Sequence, residues 1–269
     1  MNAQKNTRTI IFVAMRDGTM VSKSTAKFIR SLQIKKYRQK AQAFLVEGEK
    51  SVAELLQSHL HIDKLVAAPE FIEKYGTMVN KKVAEPLEAS PAEISSLGSF
   101  KTNEAALAVV RMPDSKPAFL PEGRWGLILD DVRNPGNLGT IIRIADWYGF
   151  HSVICSRTCA DFFNPKTIAA TMGSFSRIVP AYASLPDLLG SVSVPVYGAY
   201  LEGQDIHKAQ ALKPGWLVMG NESTGIRDEL DPFISQPITI PGQGQAESLN
   251  VAIATAVLCD NLVRLSKET

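Results

Sequence analysis

From Trp125 onward the chain carries five runs dominated by apolar residues, "WGLILDD", "SVICS", "VPVYGAYL", "GWLVMG" and "QPITIPG", separated by stretches of helical spacing. Such runs lack the apolar–polar alternation of a half-solvated sheet and belong to strands buried on both faces. Helices between them supply the crossovers that parallel pairing needs. The pattern therefore predicts an α/β fold built on a parallel sheet.

A smaller α/β domain is expected ahead of it, because "AFLVEG", "EKSVAELLQSH", "IDKLVAA", "PAEISSLGS" and "ALAVVRM" alternate strand and helix. Between the two lies "RMPDSKPAFLPEGR", which has three prolines and little periodicity, as a linker does. The expected organisation is a flexible tail over 1–20, a first domain over 21–112, a linker over 113–124 and a second domain over 125–269.

Charge divides where the domains divide. The net +2 of the 269 residues separates into +6 for residues 1–124 and −4 for residues 125–269. Much of the excess sits in "KSTAKFIRSLQIKKYRQK", Lys23 to Lys40, which holds seven Lys or Arg, Tyr37 and no carboxylate. Read as one basic helix, it is either a solvated face or a surface for phosphate, with Lys35, Lys36 and Arg38 as the contacts. No apolar run is long enough to cross a bilayer, and the first twenty residues lack the ordered segments of a signal peptide. A cytoplasmic protein with no membrane partner is expected. Cys155, Cys159 and Cys259 have neither a second close pair nor partner histidines for zinc, so they read as reduced and structural, with no metal.

Ligands of open parallel sheets sit beyond the carboxyl ends of the strands, which directs attention to three loops. The first, in "DDVRNPGNLGTIIRIADWYGF", opens a helix whose Leu138, Ile141, Ile142 and Ala145 form an apolar stripe. Arg143 lies off that stripe and extends back over Gly139, where no side chain obstructs it. It is either a surface arginine paired with Asp146 or Asp130, or a functional group. The second loop, "LVMGNESTGIRDEL", carries Glu222. In the third, "ITIPGQGQAESLNVAIATAVLCDNL", Ser248 is placed to cap a long helix. A dinucleotide fingerprint is rejected because the third glycine and the later acidic residue are missing, which leaves a nicotinamide dehydrogenase as a weaker, disfavoured alternative.

Together "NPGNLGTIIRIADWYG", "MGNESTGI" and "IPGQGQAESLNVAIATA" resemble motifs one to three of the SpoU (TrmH) family of S-adenosylmethionine-dependent RNA ribose 2′-O-methyltransferases, in the SPOUT superfamily. "KKYRQKAQAFLVEGEKSVAELL" and "SLGSFKTNEAALAVV" resemble the ribosomal-protein-like substrate-binding domain that precedes the catalytic domain in many rRNA-directed members. The chain departs from the pattern at Gly242, where a bulky residue often follows the proline, and at Ala252, where serine is common. The resemblance implies a trefoil-knotted catalytic domain, a homodimer packed through residues such as Ile144, Trp147 and Leu258, and an RNA substrate. Large-subunit (23S) rRNA is favoured over tRNA, and a ribosome-associated RNA-binding protein without catalysis is the alternative outside enzymes.

It also implies site residues. Asn137, Arg143, Glu222, Ser248 and Asn250 stand at the family's functional positions. Groups of Leu217, Met219, Gly220, Glu222, Ile240, Ser248 and Leu249 would hold S-adenosylmethionine. The segment "DFFNPKTIAATMGSFSRI" resembles a substrate-facing stretch, in which Lys166 or Arg177 would meet phosphate. Methyl transfer to a ribose hydroxyl needs alignment and charge stabilisation but no metal. An arginine stays protonated and is a poor general base, so the expected task of Arg143 is to stabilise the developing 2′-oxyanion. Asn137, Ser248 and Asn250 would orient the ribose and Arg143, and Glu222 would fix the second loop or Arg143.

Overall fold

The computed structural model describes residues 21–114 and 123–266. The expected tail, residues 1–20, and residues 115–122 of the expected linker lie outside them. The chain runs α1 (Lys23–Ser31), α2 (Lys35–Ala41), β1 (Ala43–Glu47), α3 (Glu49–Gln57), β2 (Ile62–Ala67), α4 (Pro69–Lys82), β3 (Leu87–Glu88), α5 (Pro91–Leu97) and β4 (Ala106–Arg111) through the first sheet. It continues β5 (Gly126–Leu129), α6 (Pro135–Tyr148), β6 (Ser152–Ser156), α7 (Pro165–Ala170), β7 (Ala181–Ala183), α8 (Leu185–Leu189), β8 (Val196–Asp205), β9 (Trp216–Met219), β10 (Gln236–Thr239) and α9 (Val251–Ser266) through the second.

The second sheet has the order β10-β8-β9-β5-β6-β7, with every pairing parallel. Its strands alternate between two cores. Leu127 and Leu129 of β5 join the apolar cluster under α6, α7 and α9, while Ile128 joins Trp216, Val218 and the residues of α8 on the other face. Burial on both faces is why these strands carry no polar alternation. The first sheet, β1-β4-β2-β3, is mixed: β4 runs antiparallel to both neighbours, and β2 pairs β3 in parallel.

Local sequence sets the helix starts. Asn134 accepts backbone hydrogen bonds from Gly136 (2.8 Å) and Asn137 (3.3 Å), and Pro135 opens α6. Asn164 and Pro165 repeat the device at α7. In α5, Ser90 and Glu93 cap reciprocally. Helices α6 and α7 approach closely at Gly139, where an added Cβ would stand 2.3 Å from the Thr167 carbonyl oxygen. The space expected to let Arg143 pass over Gly139 is thus filled by α7.

The expected basic helix from Lys23 to Lys40 is two helices, broken at Leu32–Ile34. Arg38 explains the break and is a correction to the reading of that stretch. Its side chain is only 2% exposed; Nη1 donates to the carbonyls of Leu32 (2.9 Å) and Gln33 (2.8 Å), and Nη2 pairs with Asp161 Oδ2 at 2.6 Å. A cation at the last carbonyls of α1 complements the helix dipole. Arg38 is a clamp between the two halves of the chain and offers nothing to phosphate, whereas Lys35, Lys36, Lys40 and Tyr37 are exposed. Phe44 of β1 reinforces the seam, with ring centroids 4.8 Å from Phe163 and 6.3 Å from Phe175.

Candidate active site

The three loops converge beyond the carboxyl ends of β5, β9 and β10. The first is anchored by Asp130, which follows β5 and is fully buried. Arg227 Nη2 and Nε donate to Asp130 Oδ1 at 2.7 and 2.9 Å, and the Arg227 backbone amide donates to Oδ2 at 3.0 Å. Next to it, Asp131 adopts a left-handed φ of 58° and its carbonyl accepts from Asn221 Nδ2 at 2.8 Å. Burial raises the Asp131 carboxyl, but the hydrogen bonds from Arg133 and Thr158 outweigh it and leave the group below its ordinary value. Cys159 adds a further tie: its Sγ accepts from the Val132 amide at 3.3 Å and donates to the Leu129 carbonyl at 3.2 Å. All three cysteines are buried and unbridged.

The second loop closes on itself. Asn221 and Gly225 exchange backbone hydrogen bonds of 2.9 and 3.0 Å, and Asn221 Oδ1 accepts from the amides of Ser223 and Thr224. Gly225 takes φ +72°, and a Cβ on Gly220 would sit 2.2 Å from the Gly225 carbonyl carbon. Both positions need glycine. Glu222 is left projecting from the turn, exposed.

Across the loops runs one chain of side chains. Asn137 Nδ2 donates to Glu222 Oε1, Asn137 Oδ1 accepts from Asn250 Nδ2 at 3.2 Å, and Asn250 Oδ1 caps α9 by accepting from the amides of Ala252 (3.0 Å) and Ile253 (3.4 Å). Glu222 is therefore tied to Asn137 rather than to Arg143, and Asn250, not Ser248, is the helix cap. Three of the expected catalytic residues meet, one from each loop. Ser248 stands exposed two residues before the cap.

Arg143 is also exposed and forms no hydrogen bond or ion pair with any described residue. The two carboxylates that would have made it an ordinary surface arginine are taken: Asp130 by Arg227, and Asp146 by Arg177 and Ser174. Arg177, expected as a phosphate contact, is thereby committed to acids within the protein, Asp146 and Glu54. Lys166 is exposed.

An open cavity of about 1240 Å³ lies between the second and third loops, lined by Met219, Gly220, Glu222, Ile240, Ser248 and Leu249 among others. Leu217 is the exception among the expected cofactor residues. It is fully buried in mid-sheet between Leu127 and Tyr197 and does not line the cavity. Sequence reasoning missed the opposite wall, Tyr200, Leu201 and Glu202 of β8. There β8 arches away from β10, its pairing jumping from Gly198 to Gln204. From 241 to 249 the third loop, which lines the cavity for most of its length, makes no hydrogen bond with any described residue, so its backbone donors and acceptors are unpaired there.

Residues 125–260 match the SpoU rRNA Methylase family, and residues 23–108 match the MRM3-like substrate binding domain. The chain is 33% identical over 243 residues to the 23S rRNA (guanosine(2553)-2′-O)-methyltransferase RlmP of Bacillus subtilis, covering 87% of this chain and 93% of that protein. It is 31% identical over 190 residues to the 23S rRNA (uridine(2479)-2′-O)-methyltransferase of Streptomyces viridochromogenes, covering 65% of this chain and 66% of the relative. The crystal structure of an AdoMet-bound rRNA methyltransferase from Sinorhizobium meliloti superposes with a TM-score of 0.81 at 32% identity, over 91% of this chain and 97% of that one. With half of its length matched by the family and a relative aligned along nearly all of it, the chain belongs to the SpoU rRNA methylase family.

Proposed function

We propose that the protein transfers the methyl group of S-adenosylmethionine (AdoMet) to a ribose 2′-hydroxyl of 23S rRNA, acting in the cytoplasm. One observation carries the reading: the Asn250–Asn137–Glu222 chain joins all three loops beside the cavity while Arg143 is left unpaired. The names of the two relatives, directed to a guanosine and a uridine, support 23S rRNA as the substrate without selecting a base.

The cavity suits AdoMet. Met219, Ile240, Leu249 and Leu258 offer apolar surface, and the open amides and carbonyls of 241–249 match the polar edges of an adenosine and an amino acid. Bound there, AdoMet supplies a sulfonium methyl open to attack by an oxygen nucleophile. The remaining work falls to the chain. Asn137 and Asn250 hold each other's amides, so the edge they present to the ribose is fixed before substrate arrives. Arg143 faces the 2′-oxygen and stabilises it as it becomes anionic, and the proton leaves to water or an RNA phosphate. Glu222 orients Asn137 as an acceptor. Lys35, Lys36 and Lys166, all exposed, meet the RNA backbone.

The reading includes the trefoil knot and a homodimer. The strand order supports the first: β10 pairs with β8 outside β9, and the chain then lines the cavity before α9 packs on α6. Trp147, 83% exposed on α6, and Ile253, 55% exposed on α9, support the second. Leu258 does not belong to a dimer face, because it is buried in the chain's own core. Among the described residues no helix is long and apolar enough to cross a membrane. The direct test is to incubate the protein with methyl-labelled AdoMet and 23S rRNA, then hydrolyse in alkali. Label in an alkali-resistant dinucleotide is expected, whereas label on a base, or none, would refute the reading.

A further inference from the structure

On α6 the carboxylate nearest in sequence to Arg143 is Asp146, three residues on, a spacing that places side chains as neighbours. In an isolated helix the two would pair. Here both carboxylate oxygens are occupied: Ser174 Oγ donates to Oδ2 at 2.7 Å, and Arg177 Nε reaches Oδ1 at 3.2 Å and Oδ2 at 2.9 Å, with Nη2 2.8 Å from Oδ2. The Arg177 guanidinium is itself held from the first domain, because Nη1 donates to Glu54 Oε2 at 2.9 Å. The segment carrying it fits closely there: Gly173 takes φ +104°, and a Cβ on it would stand 2.7 Å from Glu54 Cγ. Burial raises the Asp146 carboxyl, yet Arg177 and Ser174 outweigh this and keep it below its ordinary value.

We propose that Arg177 is a positioning residue for the methyl-transfer reaction: by occupying Asp146 it keeps Arg143 unpaired and directed at the ribose 2′-oxygen. The inference rests on the methyltransferase reading given above. Without Arg177, Asp146 is a partly buried carboxylate whose neighbour on the same helix is Arg143. Pairing with it draws the guanidinium toward the carboxyl end of α6, away from the three loops, and leaves the developing oxyanion without its cation.

The experiment compares full-length wild type, Arg177→Met, Arg177→Lys, Asp146→Asn and the Arg177→Met/Asp146→Asn double variant. Arg177→Met should lower kcat about two- to fivefold, the range for one competing ion pair at a largely solvated site, with KM for RNA and the Kd for AdoMet unchanged. Arg177→Lys, which retains a cation, and the double variant should both return to near the wild-type kcat. In ¹⁵N-labelled protein the Arg143 Nε–Hε resonance should move in Arg177→Met and return in the double variant, a readout independent of turnover. A wild-type rate in Arg177→Met, a double variant slower than the single one, or an unmoved Arg143 resonance would each overturn the proposal. Wild type that methylates no RNA while the Arg143 resonance shifts as expected would instead count against the methyltransferase reading and leave the pairing intact.

Discussion

The two sides of the candidate site are held differently. The first and second loops are stapled to the sheet and to each other: Asp130 takes three donors from Arg227, Asn221 spans to the Asp131 carbonyl, and Gly220 packs against Gly225. The third loop, from 241 to 249, is exposed along its length and bonded to no described residue until Asn250 joins Asn137 and caps α9. The contrast teaches which half is preorganised. Under the proposed reading, the groups assigned to the ribose are set before any ligand arrives, whereas the wall assigned to the donor keeps its hydrogen-bonding capacity open for the donor to complete.

The largest effect expected from breaking this contrast is on stability. Arg227→Met leaves the fully buried Asp130 carboxylate without its partner, and the loss should reach about 3 kcal/mol; denaturant unfolding would measure it. Arg38→Ala should be comparably harmful, since it strands Asp161 and uncaps α1. A loss below about 1 kcal/mol in both would show that neither the Arg227 staple within the second domain nor the Arg38 clamp between the two halves holds the fold.

Next in size is the response of the open half. S-adenosylhomocysteine at 100 times its Kd should raise the unfolding free energy by about 2.7 kcal/mol. Backbone hydrogen exchange should slow across 242–249 and change little across 220–226, where the amides of Asn221, Ser223, Thr224 and Gly225 already have partners. Equal slowing in both segments would erase the distinction drawn between them. On the RNA-facing side, replacing Lys35 and Lys36 by Gln should leave stability unchanged and flatten the salt dependence of RNA binding, by roughly 0.9 in the log–log slope for each duplex phosphate that is no longer neutralised.

The smallest effect is one of pH. The Asp146 carboxyl lies below its ordinary value in the folded state, so it stabilises the fold above the unfolded-state value near about 3.9 and loses that contribution as pH falls through the lower folded value. The stability gap between wild type and Arg177→Met should therefore be widest at neutral pH and narrow below about pH 4. A gap that widens in acid would mean that Arg177 stabilises the fold by another route.

Much of the fold was legible because the strands of the second sheet are buried on both faces and leave uninterrupted apolar runs. What escaped had weak patterns. Helix α4 buries only Phe71 and Val79 and carries Gly76, so it shows no stripe. Strands β3 and β7 are two and three residues long. At the site, the motifs marked Asn137, Glu222 and Asn250, but no spacing rule could show that they form one hydrogen-bonded chain across 113 residues of sequence. Arg38 was misread because a charge run shows sign and not direction: its neighbours face solvent while it turns inward to Asp161, 123 residues away. Gly139 was misassigned for a similar reason, since the absence of a side chain does not say what fills the space.

The central claim is that Arg143 is free because its task lies in the transition state. It is tested most directly by single-turnover methylation of 23S rRNA by wild type and Arg143→Ala, with donor and RNA affinities measured on the same preparations. The rate should fall by about two to three orders of magnitude, as for the loss of one oxyanion donor, with both affinities within about twofold of wild type. An Arg143→Ala variant that methylates at the wild-type rate, or whose defect disappears at saturating RNA, would contradict the account.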